Sequence, residues 1–145
     1  MCRFTRGILG TAAIALTLCV VPAWAHPVVK NCRVVTLQGM PDDWRDVDRV
    51  EIDEARKLIT FAVSRTIGTT GEKAWKFSNT KDAFWGDDQV VFDRFESTLR
   101  IAAIKLGSPT AIWVEPSLIR LSSVHPFGSE LAEFSCDEKA VVVSR

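Results

Sequence analysis

Only two imidazoles occur in the chain, at His26 and His125, and tyrosine is absent. Catalysis that needs a general base or a proton shuttle therefore rests on these two residues or on carboxylates. A Ser-His-Asp constellation would have to join His125 to Ser122 or Ser123, and no G-x-S-x-G elbow is present. Carboxylate-based hydrolysis would need two acids facing each other across a cleft, for which Glu115, Asp87 and Asp93 are the candidates. Metal chemistry is the remaining option. A cut after Ala25 would make His26 the first residue, so that its α-amine and imidazole become the paired nitrogen donors that Cu(II) takes in planar sites. His125 is the other imidazole the chain could bring to such a metal. The bland alternative is an incidental terminal histidine and a turn residue at His125-Pro126.

Asp42, Asp43, Asp46 and Asp48, with Asp53 and Glu54 beyond them, concentrate the hard oxygen donors that Ca²⁺ requires. Their spacing departs from an EF-hand loop and no glycine sits at its turn, so they read as a solvated loop balanced by Arg45 and Arg49. The aromatic residues offer a different chemistry. Phe84-Trp85-Gly86-Asp87-Asp88 sets an aromatic pair beside two carboxylates at an expected turn, a combination suited to stacking on a sugar while the acids take its hydroxyls. Trp85, Asp87 and Asp88 are therefore the candidate ligand-binding residues. The competing reading makes Trp44, Trp75, Trp85 and Trp113 the filling of a small β core, with Trp85 nearest the surface. No cofactor motif is present.

These residues belong to a chain of two parts. Arg3 and Arg6 precede an uncharged, largely apolar run over residues 7–25 that closes on Pro22-Ala23-Trp24-Ala25, the form of a cleavable signal peptide over 1–25. Leu18 before Cys19 is not a lipoprotein context, and no second long apolar run follows, so no membrane span is expected after cleavage. Removing 1–25 takes away two arginines and no acid, leaving 16 basic against 18 acidic residues. Such a balance lacks the cationic excess that nucleic-acid binding needs. It also leaves Cys32 and Cys136 as the remaining thiols. In an exported chain an even pair reads as one disulfide, closing a loop of about 100 residues, with about 4.7 kcal/mol of chain entropy at stake. Neither cysteine sits in a C-x-x-C motif, which argues against thiol redox catalysis and a zinc site.

From Arg33 onward, apolar and polar residues alternate with period two between short turns. The pattern predicts strands at 33–37, 49–52, 58–65, 74–79, 89–92, 99–105, 111–115, 118–122, 131–136 and 140–143. Pro41 followed by acids predicts one helical turn within 40–46. Turns are expected at 53–57, 68–71, 85–88, 107–109, 115–117 and 126–129. Connections this short make neighbouring strands pair as hairpins. The expected architecture is one all-β domain over 26–145, an antiparallel β-sandwich or small barrel of about 7–10 strands.

The run ending in Phe92-Asp93-Arg94, then Leu99, then a late Cys136, resembles small uncharacterised exported all-β proteins of proteobacteria over roughly fifty residues. That resemblance implies an exported β-domain and carries no activity. The His26-Pro27 start is similar to that of copper-carrying periplasmic β-barrels and copper monooxygenases, a resemblance that implies His125 as the distant second ligand and Phe127 as the axial aromatic, although none of their other motifs is present. Scarce histidine and the lack of a nucleophile motif favour a non-enzymatic binding or accessory protein of the cell envelope, periplasmic or secreted, whose partner is an envelope ligand or protein. Copper binding through His26 and carboxylate-based hydrolysis are the alternatives.

Overall fold

Period-two alternation decides which side chains enter the interior. Along β7 (Thr98–Lys105), Leu99, Ile101 and Ala103 are buried while Arg100, Ala102 and Ile104 face out. On β10 (Gly128–Cys136), Ala132, Phe134 and Cys136 point inward. The computed structural model describes residues 26–64, 73–82, 86–139 and 141–142. The expected signal peptide over 1–25 lies outside the described residues.

The other elements are β1 (Val28–Gln38), a 3-10 turn (Asp42–Asp46), β2 (Arg49–Asp53), β3 (Leu58–Val63) and β4 (Lys73–Phe77). After them come β5 (Thr80–Asp82), β6 (Gly86–Phe95), β8 (Ser108–Val114), β9 (Leu118–His125) and β11 (Val141–Val142). Ten strands form one antiparallel path in the order β4-β3-β2-β1-β10-β9-β8-β7-β6-β5, with β11 beside β1. The path is an up-and-down meander nearly closed into a barrel. Its two ends, β4 and β5, are consecutive in the chain and joined through Ser78 and Asn79, so the backbone itself crosses the remaining gap.

Side chains span the same gap. Arg94 on β6 pairs with Glu54 in the β2–β3 turn, Lys57 lies 5.4 Å from the centre of the Phe92 ring, and Val90 N–H donates to Asn79 Oδ1 at 2.6 Å. On the opposite wall, β1 serves two neighbours. Val28 to Asn31 pair with β2, and Cys32 to Gln38 pair with β10 across a bulge between Val34 and Thr36. The bulge falls within the β10 ladder and bends β1 there.

Strand β5 has no counterpart in the pattern expected from sequence, because Thr80-Lys81-Asp82 contains no apolar residue to alternate. Gly86 to Asp88, expected as a turn, are the first residues of β6. On β3, Thr60 and Ala62 are buried on the outer face as well. Their cross-strand partners include Glu51 and Lys76 for Thr60, and Arg49 for Ala62, whose long stems roof the two small side chains.

Cys32 and Cys136 face each other in register on β1 and β10 and form a disulfide with Cα atoms 4.0 Å apart. Cys32 N–H donates to Asp48 and Cys136 N–H to Ser117, so the bridged pair exchanges no backbone hydrogen bond with each other. Its sequence separation is 104. Replacing both cysteines with serine should lower the unfolding free energy by about 2–5 kcal/mol. Urea titrations of wild type with and without reductant check this: reductant should destabilise the wild type and leave the double variant unchanged.

Candidate functional site

The barrel is filled at mid-height and hollow at both ends. Phe61, Phe134, Ile101, Ile112 and Leu121 close the middle. Beyond them the inward register continues with polar residues: Asp88 and Arg94 on β6, Lys105 on β7, Thr110 on β8, Ser123 and His125 on β9, Glu130 on β10 and Lys30 on β1.

One cavity, of about 300 Å³, opens at the end where β1 finishes. Its apolar wall comes from the 3-10 turn, which drops Trp44 into the barrel mouth. Trp44 stacks on Trp75 at 4.6 Å and reaches Phe61 and Phe134 at 5.4 and 6.3 Å. Lys73 on β4 pairs with Asp43 and ties the turn down. Across from this wall stand Thr110, Ser123, His125 and Glu130. Thr110 Oγ1 and Ser123 Oγ are 3.1 Å apart, and Ser123 Oγ also donates to the Pro109 carbonyl at 3.4 Å.

His125 uses both ring nitrogens. Phe127 N–H donates to Nδ1 at 3.3 Å, and Nε2 lies 3.5 Å from Glu130 Oε1. The expected copper pair fails on position. His26 is exposed ahead of β1 and His125 ends β9 at the opposite mouth, about 30 Å of strand away. These residues cannot share one ion. Ser123 is bonded to Thr110 and Pro109, so the Ser-His couple is not assembled either.

Asp88 is placed differently from the expected sugar-binding role. Its carboxylate is buried, accepting the Leu106 N–H at 3.1 Å and the Lys105 ammonium at 3.3 Å. Leu106 and Gly107 form a two-residue hairpin loop with φ of 48° and 78°, both in the left-handed region. Leucine rarely adopts that conformation, and the Asp88 carboxylate satisfies the amide it leaves exposed. Asp87 pairs with Lys81 in the β5–β6 ladder. Its side chain and the whole of Trp85 lie outside the described residues. Of the remaining tryptophans, Trp44 is core, Trp75 is half-buried, and Trp113 sits on the outer face between Arg100 and Arg120. The candidate acids do not converge. Asp93 is exposed on β6, and Glu115 lies past β8 at the other end.

That other end holds a cavity of about 230 Å³ that sequence reasoning missed. Ile52, Leu99 and Val114 form its floor, with Lys30, Arg94, Glu115 and Glu138 around it. Lys30 is only 4% exposed and donates to the backbone carbonyls of Pro116 and Asp137. Burial holds its ammonium below the usual lysine value, against the opposing pull of the Asp137 and Glu138 carboxylates. The signal was available: in Val28-Val29-Lys30-Asn31-Cys32, Lys30 shares the face of Val28 and Cys32.

No protein-family model matches the sequence, and no curated protein shows significant similarity to it. Among the described residues, no three His, Cys, Asp or Glu side chains gather in a metal-holding group, and no helix is long and apolar enough to cross a membrane.

Two outcomes follow from this geometry. Asp88→Ala should cost about 1–3 kcal/mol in urea unfolding by orphaning the Leu106 amide, whereas Asp93→Ala on the exposed face should change it little. The folded chain holds the Lys30 proton less tightly than the unfolded chain, so the penalty is constant below the folded pKa and fades as pH climbs towards the unfolded value of 10.5. Wild type should therefore gain stability relative to Lys30→Met as the pH rises towards 10.5, read as the difference in their urea midpoints.

Proposed function

We propose that the protein is an exported, non-enzymatic binding domain of the cell envelope, and that a small polyhydroxylated or amide-bearing ligand seats in the cavity at the 3-10 turn. The observation that carries this reading is the pairing of an aromatic wall, Trp44, Trp75 and Phe77, with a row of hydroxyl, imidazole and carboxylate groups around one opening. Ligand pockets combine a mostly apolar lining with a few fixed polar groups. The committed hydrogen bonds of Ser123 and His125 suit recognition better than turnover, since each is held in one orientation with no activated nucleophile between them.

Export is supported by the charged-then-apolar N-terminal segment, by the small residues Ala23 and Ala25, and by the Cys32–Cys136 bridge, which oxidising compartments sustain. N-terminal sequencing of protein recovered from the periplasm or medium should begin at His26. The likeness to small exported β-proteins of proteobacteria fits the same placement.

The binding reading is tested with mono- and disaccharides, N-acetylated amino sugars included, titrated against the mature chain with tryptophan fluorescence as the readout. A saturable change is expected with at least one of them, and Trp75→Ala should weaken it about tenfold, the loss of one aromatic contact. A panel that leaves the emission untouched, or a response indifferent to Trp75→Ala, would sink the assignment.

A further inference from the structure

The cavity at the opposite end from the proposed ligand mouth has a chemistry of its own. Lys30 Nζ meets two acceptors, the carbonyl oxygens of Pro116 and Asp137. An ammonium has three N–H donors, whereas a neutral amine has two and one lone pair. Among the described residues these two backbone acceptors match the two N–H donors of the neutral amine, whose lone pair is then free to react. The apolar floor of Ile52, Leu99 and Val114 disfavours the charged form further and offers hydrocarbon a place to lie. Glu115 and Glu138 line the same space and supply carboxyl groups for proton transfer.

We infer that Lys30 is a carbonyl-capturing amine, and that the cavity beside it takes short aliphatic aldehydes as a reversible imine. The Nζ lone pair attacks the aldehyde carbon, the carbonyl π bond breaks, and the oxygen takes up a proton to give a carbinolamine. Loss of that oxygen as water, which carries away both amine hydrogens, leaves the neutral C=N bond. No oxidant or reductant is consumed. A protonated imine keeps one N–H, enough to hold one of the two backbone carbonyls. The volume of about 230 Å³ accommodates a short chain on the apolar floor. The direction in which burial moves the Lys30 amine agrees with this reading, since only the unprotonated form is a nucleophile.

The test uses the disulfide-intact mature chain with butanal near neutral pH, trapping with cyanoborohydride, and peptide mapping by mass spectrometry. Lys30 should be alkylated about tenfold faster than the exposed Lys57, Lys76 and Lys139, and the advantage should vanish in urea. Ser97 lies on the exposed β6–β7 turn at the cavity wall, so Ser97→Trp should slow labelling of Lys30 and leave the exposed lysines as they were. Labelling of Lys30 no faster than the exposed amines overturns the assignment. So does labelling that ignores Ser97→Trp, because the cavity would then not be the route. Neither result bears on the sugar titration at the other mouth.

Discussion

Strand β1 has to satisfy two ladders with one backbone, and the closure of the barrel depends on how it does so. Its first four residues complete the β2 edge and its last seven complete the β10 edge. A straight strand held to both neighbours along its whole length would stay in one continuous curvature. The pairing instead passes from β2 on one edge to β10 on the other between Asn31 and Cys32, and the irregularity between Val34 and Thr36 bends the strand within the β10 ladder. The rest of the circuit is local, each strand pairing with the next. Along the closed path of strands, the β1–β10 ladder joins segments about a hundred residues apart, and that is where the covalent bridge sits.

The interior obeys a second constraint: inward positions continue past the filled middle to both rims. Where the inward register reaches a strand end, it holds Asp88, Lys105, Thr110, Ser123, His125 or Glu130 at one mouth and Lys30 or Arg94 at the other. Each polar group there has a partner to meet, a turn amide, a loop carbonyl or an opposite charge, because hairpin ends expose unpaired backbone. Apart from Asp88, these groups also line the two cavities. Asp88 shows how a residue chosen for its binding potential turns out to serve a loop.

Much of this was legible in the alternation. The strands rich in branched and aromatic residues were recoverable because their period is local, and the Cys32–Cys136 pairing followed from there being only two thiols after residue 25. The choice between sandwich and barrel was not recoverable, since it turns on a pairing between chain regions about a hundred residues apart. Strand β5 is polar throughout and is held by β6 alone, so nothing in its composition distinguishes it from a loop. The candidate site was read less well. His26 and His125 were grouped by residue type, yet type says nothing of which rim a residue reaches. Counting parity from Cys32 back to Lys30, and from Leu121 on to Ser123 and His125, would have put the right side chains inside. Trp44 and Trp75 were read as core, and they are both core and cavity wall, a distinction that exists only once the 3-10 turn is folded over the mouth.

The bridge between β1 and β10 also imposes an order in time. A chain made from its N-terminus presents Cys32 more than a hundred residues before its partner, so the first cysteine waits unpaired while almost the whole meander is laid down. The hairpins can form as they emerge, but the ladder that makes them a closed wall cannot. Oxidation is then a record of completion: a truncated or stalled chain retains a reactive thiol, and only a finished one hides it.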